Sequence, residues 1–350
     1  MSIGSPHPFI SICIPAYKHR DYVERLLTSL LAQTFTDFEV IITDDSPDES
    51  VSNLVTGYRS RLNLHYFKNT PALGTPENWN EAMRQAKGQW IKLIHDDDWL
   101  ASDSSLQDYV DAINQNPNID FFFTAYYNVK LNDGENPDLT KEATADEITG
   151  IPMHIHISRN NNGKNEMIEP ALFRIKQLQQ NPVTLLSKNI IGPPSVVIHR
   201  NDQKYFYDKN FKWLVDMDFY MRYLDNRVAV YIDKPLVNIG INEQQVTRSS
   251  SLVREVEIPE HFRILEKTGI QQLKNLLVYD AWWRLIRNLK IRDLNEIKEA
   301  GYTGKIPVAI INLIKFQQKF HYSILKFGPA SKTLMFASYT HNKLTNSFRN

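Results

Sequence analysis

Three carboxylates in succession, in the segment His95-Asp96-Asp97-Asp98-Trp99, are the sharpest chemical feature of the sequence. They stand directly behind the apolar stretch Gln89–Ile94. A hard divalent cation, Mn2+ or Mg2+, is held by one or two such carboxylates while it also binds phosphate oxygens. A cation so placed stabilises the negative charge that develops on a departing diphosphate. The competing reading is structural: Asp97 or Asp98 could cap the following helix, with Ser102 and Asp103 close behind. A solvated turn has no need of three acids after an apolar strand, which favours the cation. Asp44 and Asp45, followed by Ser46-Pro47-Asp48, occupy the same kind of position after an earlier apolar run. A carboxylate there can accept hydrogen bonds from a nucleobase imide or a ribose hydroxyl. Alternatively, Asp44 or Ser46 starts the next helix.

The elements around these acids alternate regularly. Phe9–Ile14 reads as a buried strand, Asp21–Gln33 as an amphipathic helix, Phe38–Thr43 as a second strand and Leu62–Phe67 as a third. A helix over Pro76–Lys87, closed by Gly88 as its C-cap, leads into a fourth strand, Gln89–Ile94. Such alternation predicts an α/β fold with a mostly parallel central sheet flanked by helices. Ligands of open parallel sheets sit beyond the carboxyl ends of the strands, where both acidic clusters fall. Later come an aromatic strand at Ile119–Lys130, a polar loop or insert over 131–165, a helix near Pro170–Gln180 and a strand at Ser195–His199. A helix over Trp213–Asn226 and strand-like Val228–Ile241 follow, and from Val253 the pattern is wholly helical. The expected domains are residues 1–252 and a helical C-terminal region, 253–350.

An ordered set of short segments is more specific than any one of them. Pro15-Ala16-Tyr17, Gln33-Thr34-Phe35-Thr36-Asp37-Phe38-Glu39, Asp44-Asp45-Ser46-Pro47-Asp48, Gly74 with Asn78-Trp79-Asn80, Ala86-Lys87-Gly88 and Asp96-Asp97-Asp98-Trp99 together resemble the family 2 inverting glycosyltransferases. The resemblance is close over residues 8–130, looser over 190–250, and implies the GT-A fold, the nucleotide-diphospho-sugar transferase architecture. It implies that Pro15 and Tyr17 line a base and ribose pocket, that Asp45, with Asp44 beside it, holds the base, and that Asp96 meets the ribose. It also implies that Asp97, with Asp98, takes a divalent cation as part of a D-x-D element, whose leading aspartate falls on His95. An acceptor hydroxyl attacks well only as its proton leaves, so inversion needs a base opposite the diphosphate. Lys212-Trp213-Leu214-Val215-Asp216-Met217-Asp218 resembles the family's acidic motif and implies Asp216 as that base, although Asp216 or Asp218 could simply cap a helix. Gly192-Pro193-Pro194-Ser195 is similar to an acceptor-side segment, and Asn242 stands where many relatives carry a metal-binding His; Arg248 could meet the diphosphate. The implied partners are a nucleotide-diphosphate sugar donor and a glycan or lipid-linked glycan acceptor, in cell-surface polysaccharide or glycolipid biosynthesis.

Bulk properties narrow the alternatives. The 350 residues carry 40 Lys plus Arg against 40 Asp plus Glu, a formal charge of zero that draws no nucleic acid. The single cysteine, Cys13, lies in an apolar run and excludes a disulfide framework, and no run approaches a membrane span, which predicts a cytoplasmic protein. A dehydrogenase would need G-x-G-x-x-G where Pro15-Ala16-Tyr17-Lys18 stands, and a nucleotidyltransferase a Gly-rich basic loop after the first strand. A relative that binds nucleotide or glycan without chemistry stays open. After Glu299 there is no acid, while Lys305, Lys315, Lys319, Lys326, Lys332, Lys343 and Arg349 interleave with apolar residues. Residues 300–350 could therefore lie on the inner face of a cell membrane, or pack on the catalytic domain or a second copy.

Overall fold

The computed structural model describes residues 7–130, 167–241 and 252–349. The expected insert at 131–165, together with Asn242 and Arg248, lies outside the described residues. The chain divides into two compact units. The first comprises residues 1–179, 190–209 and 222–245; the second comprises 180–189, 210–221 and 246–350.

The first unit is built on a sheet of nine strands among the described residues. These are β1 (Ile10–Ala16), β2 (Phe38–Asp44), β3 (Leu64–Lys68), β4 (Trp90–Leu93), β5 (Trp99–Leu100), β6 (Phe121–Lys130), β7 (Met167–Ile168), β8 (Val197–Arg200) and β9 (Ala229–Ile241). The order is β3-β2-β1-β4-β8-β6-β9-β5, with β7 on β6. Four pairings are parallel and four antiparallel, but the parallel ladders are the long ones, so the sheet is mostly parallel, as expected, with short antiparallel additions. The pairings among β1 to β4 are all parallel, and β6 pairs with β9 in parallel as well. Periodicity identifies strands but not their direction, and the antiparallel pairings all involve strands after β4 in the chain.

β1 and β2 are buried along their whole length, which is why they read as continuous apolar runs. Their polar exceptions are satisfied internally. Ser11 Oγ donates to Glu39 Oε1 at 2.6 Å, and the amides of Lys87 and Gly88 donate to the same oxygen at 2.7 and 3.2 Å. Gly88 is not the helix cap expected of it. The helix α3 (Glu77–Gln85) ends on Ala86, and a Cβ at Gly88 would lie 2.6 Å from the Ser11 amide nitrogen, so glycine is required by the close approach to β1. The helix α1 (Arg20–Leu31) buries Val23, Leu26, Leu27 and Leu30, spaced as one helical face. The helices α2 (Ser50–Thr56) and α4 (Ser105–Gln115) cap on Glu49 and Ser104, so neither Asp44, Ser46, Asp97 nor Asp98 is a helix N-cap. Two further helices, α5 (Leu172–Gln180) and α6 (Val215–Tyr223), each cross from one unit into the other along the chain.

The second unit is helical: α7 (Arg254–Thr268), α8 (Leu276–Asn288), α9 (Leu294–Glu299), α10 (Val308–Gln317), α11 (Tyr322–Lys326) and α12 (Gly328–Leu344). Its core holds Phe262, Tyr279, Trp282, Trp283, Leu313 and Ile314, with Tyr302 stacked on Phe262 at 4.0 Å. A boundary at residue 252 would leave 210–221 with the sheet. The structure groups that segment with the helices, because the Glu260 carboxylate on α7 accepts the amides of Lys212, Trp213 and Leu214 at 2.6, 3.0 and 2.7 Å. Those three amides lead into α6, so Glu260 anchors the chain just ahead of the helix, while Asp216 accepts the Met217 amide within its first turn. Both aspartates lie inside the first turn.

Candidate functional site

The parallel register aligns the carboxyl ends of β1, β2 and β4. Ala16 pairs with Asp44, and the Asp45 amide donates to Ala16 O at 3.0 Å. The next residue, Tyr17, donates its amide to Asp96 Oδ2 at 3.1 Å. Ala16–Tyr17 thus joins the two acidic strand ends into one rim. Pro15 is buried in β1, whereas Tyr17 turns outward with 51% of its surface exposed. Lys18 takes a left-handed φ of 67° and hands its amide to Ser46 Oγ at 2.6 Å, which fixes that turn.

At the end of β2 the two aspartates part company. Asp44 is 0% exposed, and its carboxylate accepts from Ser46 N at 2.8 Å, Tyr66 Oη at 2.7 Å and Lys68 Nζ at 3.2 Å. It is a structural acid and does not open onto the rim, contrary to its expected place among the nucleotide-binding residues. Asp45 accepts from Asn69 Nδ2 at 2.8 Å and from the amides of Leu73 and Gly74 at 2.9 and 2.7 Å. It ties down the 69–74 loop and leaves about one of a carboxylate's four acceptor directions unused.

At the end of β4 the chain turns, with the Asp98 amide donating to His95 O at 3.1 Å, before β5. Asp98 is buried and accepts the Gly240 amide of β9 at 2.9 Å. Burial, reinforced by the neighbouring Asp97 charge, pushes the Asp98 carboxyl well above the usual range despite hydrogen bonds from Ser195 and Gly240. The same two causes raise Asp96 to about 7. The His95 ring lies 4.6 Å from that of Trp79, and burial lowers its pKa, which favours the neutral, metal-ligating imidazole. One atom each from His95, Asp97 and Asp98 lies within 4.8 Å of the others.

This donor set fits a divalent cation. Ligands about 2.1 Å from a small cation stand up to about 4.2 Å apart across it. His95 Nδ1 and Asp98 Oδ2 are 4.0 Å apart, beyond a hydrogen bond and within that span. His95 Nε2 is buried without a hydrogen-bond partner. An imidazole beside two carboxylates suits Mn2+ at least as well as Mg2+.

Two buried cations underlie the acidic turn, and sequence reasoning passed over both. Arg25 of α1 donates from Nη2 to Asp97 O at 2.7 Å and lies 4.0 Å from the Trp99 ring centre. Lys92 of β4 donates to Ser195 O and to Val197 O at 3.3 Å; burial pulls its pKa down to about 7, against the opposing pull of Asp98. Each is a lone charge in an apolar pattern, Arg25 among Val23, Leu26 and Leu27, and Lys92 within Trp90–Ile94. That is the signal that could have found them. Ser195, from the Gly192-Pro193-Pro194-Ser195 segment, accepts the His95 amide at 3.0 Å.

Asp216 belongs to the second unit. Its Oδ2 accepts from Asn189 Nδ2 at 3.1 Å and its Oδ1 from the Met217 amide at 2.8 Å. Burial first, and the Glu260 charge last, lift it to about 6, the range of a carboxylate that exchanges protons near neutrality.

Comparison with known proteins agrees with this geometry. Residues 11–174 match the family model described as glycosyl transferase family 2. An uncharacterized glycosyltransferase of Haemophilus influenzae is 31% identical over 154 residues, 41% of this chain and 51% of that protein. The poly(ribitol-phosphate) beta-N-acetylglucosaminyltransferase TarS of Staphylococcus aureus is 34% identical over 95 residues, 26% of this chain and 16% of its own length. The abequosyltransferase RfbV of Salmonella typhimurium is 32% identical over 109 residues, 29% of this chain and 33% of its own. The chain thus spans about half or less of the length of these relatives. Among solved structures, an amino-terminal fragment of S. aureus TarS in complex with UDP-GlcNAc matches with a TM-score of 0.52 at 18% identity, over 95% of this chain and 92% of that one. The segment that carries the acidic rim thus matches glycosyl transferase family 2, and the fold is GT-A.

Proposed function

We propose that the protein is an inverting glycosyltransferase that uses Mn2+ or Mg2+ to move a sugar from a nucleotide-diphosphate donor to a hydroxyl of a glycan or lipid-linked glycan. The observation that carries this reading is the His95, Asp97 and Asp98 donor set at the end of β4, inside the matched family segment. Tyr17 offers an exposed ring to the base, beside Pro15. Asp45 presents its remaining acceptor direction to the base, and Asp96, held by the Tyr17 amide, offers its other oxygen to the ribose. Asp97 and Asp98, with His95, would hold the cation, which when bound stabilises charge on the departing diphosphate. Arg25 fixes the backbone of Asp97 from beneath. Asp216, deprotonated above about pH 6, takes the acceptor proton.

Relatives named for transfer to poly(ribitol-phosphate) and for transfer of abequose support a role in cell-surface polysaccharide synthesis. The fully buried Cys13 is compatible with a reducing cytoplasm. A thermal-shift screen of nucleotide diphosphates and their sugars, with and without Mn2+, tests the reading. A ligand at 100 times its Kd adds about 2.7 kcal/mol of stability. A cation-dependent shift followed by donor consumption supports transfer; a shift with no consumption under any acceptor points to a binding protein; no cation-dependent shift for any nucleotide defeats the proposal.

A further inference from the structure

The last helix of the second unit, α12, is amphipathic in an inverted sense. Its buried stripe is Ser331, Met335, Ser338 and Asn342, spaced four, three and four apart. Three of the four are small polar residues that dock by hydrogen bonds. Ser331 accepts Trp283 Nε1 at 3.0 Å, Ser338 Oγ lies 2.7 Å from Tyr279 Oη, and Asn342 donates to Ala309 O at 3.1 Å. Large apolar residues in and just before the helix are left exposed: Phe327 at 64%, Phe336 at 56% and Leu344 at 78%. At about 100° per residue, Lys343 falls within about 20° of Phe336 around the helix, and both lie more than about 100° from the centre of the buried stripe. Lys326 precedes Phe327 and is exposed, as is Lys343. Lys332 is committed to Asp280, at 2.7 Å from both carboxylate oxygens, and is not available to this face.

We propose that the exposed surface of α12 and of the turn before it, with Phe327, Phe336 and Leu344 as inserting groups and Lys326 and Lys343 as charge anchors, binds the surface of an anionic lipid bilayer. Residues 300–350 contain no Asp or Glu, and Asp280, the acid that α12 does contact, is paired with Lys332, although the chain as a whole is neutral. Among the described residues no helix is long and apolar enough to cross a membrane, so the contact is interfacial. A second copy of the chain is the poorer occupant: a two-fold contact would set the same acid-free, lysine-bearing face against itself.

Sedimentation of the full chain with sucrose-loaded vesicles tests this, using pure phosphatidylcholine and about three parts phosphatidylcholine to one of phosphatidylglycerol. The protein should pellet with the anionic vesicles, stay in solution with the zwitterionic ones, and be released by high salt. Phe327→Ser with Phe336→Ser should cut partitioning at least about tenfold per ring. Lys326→Gln with Lys343→Gln should cut it about fivefold per charge, and Lys326→Arg with Lys343→Arg should restore it. All these sites are exposed, and an unchanged Tm in each variant separates lost binding from lost folding. Failure to pellet with anionic vesicles overturns the proposal. So does equal pelleting of all variants, or a concentration-dependent dimer abolished by the phenylalanine substitutions in a protein that ignores lipid. None of these outcomes depends on the assignment of glycosyl transfer.

Discussion

The two acidic strand ends of the sheet look alike in sequence and behave differently in the fold. At the end of β2, Asp44 is closed off by a backbone amide, a phenol and a lysine, and Asp45 is held by a side-chain amide and two backbone amides that leave it about one acceptor direction. At the end of β4, hydrogen bonds to Asp96 and Asp98 fail to offset burial and the charge of Asp97 between them, and both carboxyls are pushed upward. An acid that the protein itself satisfies is part of the scaffold. A cluster of acids left costly after folding is where a cation from solution gains most. Asp216 falls in the second class, since two hydrogen bonds leave it raised to about 6.

The contrast can be broken by substitution. The largest expected effect is at Asp216: Asp216→Asn should lower kcat by about 10^3-fold or more, read as nucleotide-diphosphate release from the donor that the screen identifies. Because the base form is the deprotonated one, the wild-type rate should rise with pH up to about 6 and level off above it. A flat profile between pH 5 and pH 7, or an active Asp216→Asn enzyme, would remove this residue from the chemistry. Next, Asp97→Ala should abolish Mn2+ binding measured by calorimetry and lower kcat by roughly 10^2 to 10^3-fold; retained cation affinity would dissolve the distinction between the two strand ends.

The remaining effects are on stability. Asp44→Asn should leave cation binding intact and cost about 2 kcal/mol, seen as a lower Tm, because the isosteric amide cannot accept from Ser46, Tyr66 and Lys68 together. Asp98→Asn should do the opposite, changing metal-free stability by about 1 kcal/mol or less while erasing the stabilisation by Mn2+. If Asp98→Asn unfolds the metal-free protein, Asp98 is scaffold as Asp44 is.

Much of this arrangement was legible before any coordinates. The alternation of apolar strands and amphipathic helices over the first hundred residues places β1 to β4 within a residue or two, because burial on both faces writes a near-continuous apolar run into β1, β2 and β4; β3 is half-buried along its length. The short α2, β5 and β7 left no comparable trace, since a two-residue strand has no period. The antiparallel pairings of β8, β5 and β7 also went unread, because strand direction is a property of the connection and not of the strand.

What the sequence determined by itself is which acids stand at strand ends, since that follows from local periodicity and the residue that breaks it. Which of them are spent on the fold was decided by groups remote in the chain. Tyr66 and Lys68 close Asp44, Gly240 reaches Asp98 across 142 positions, and Arg25 and Lys92 lie beneath the acidic turn. A carboxylate's role depends on how many donors and charges surround it, and that number exists only once the chain has closed on itself.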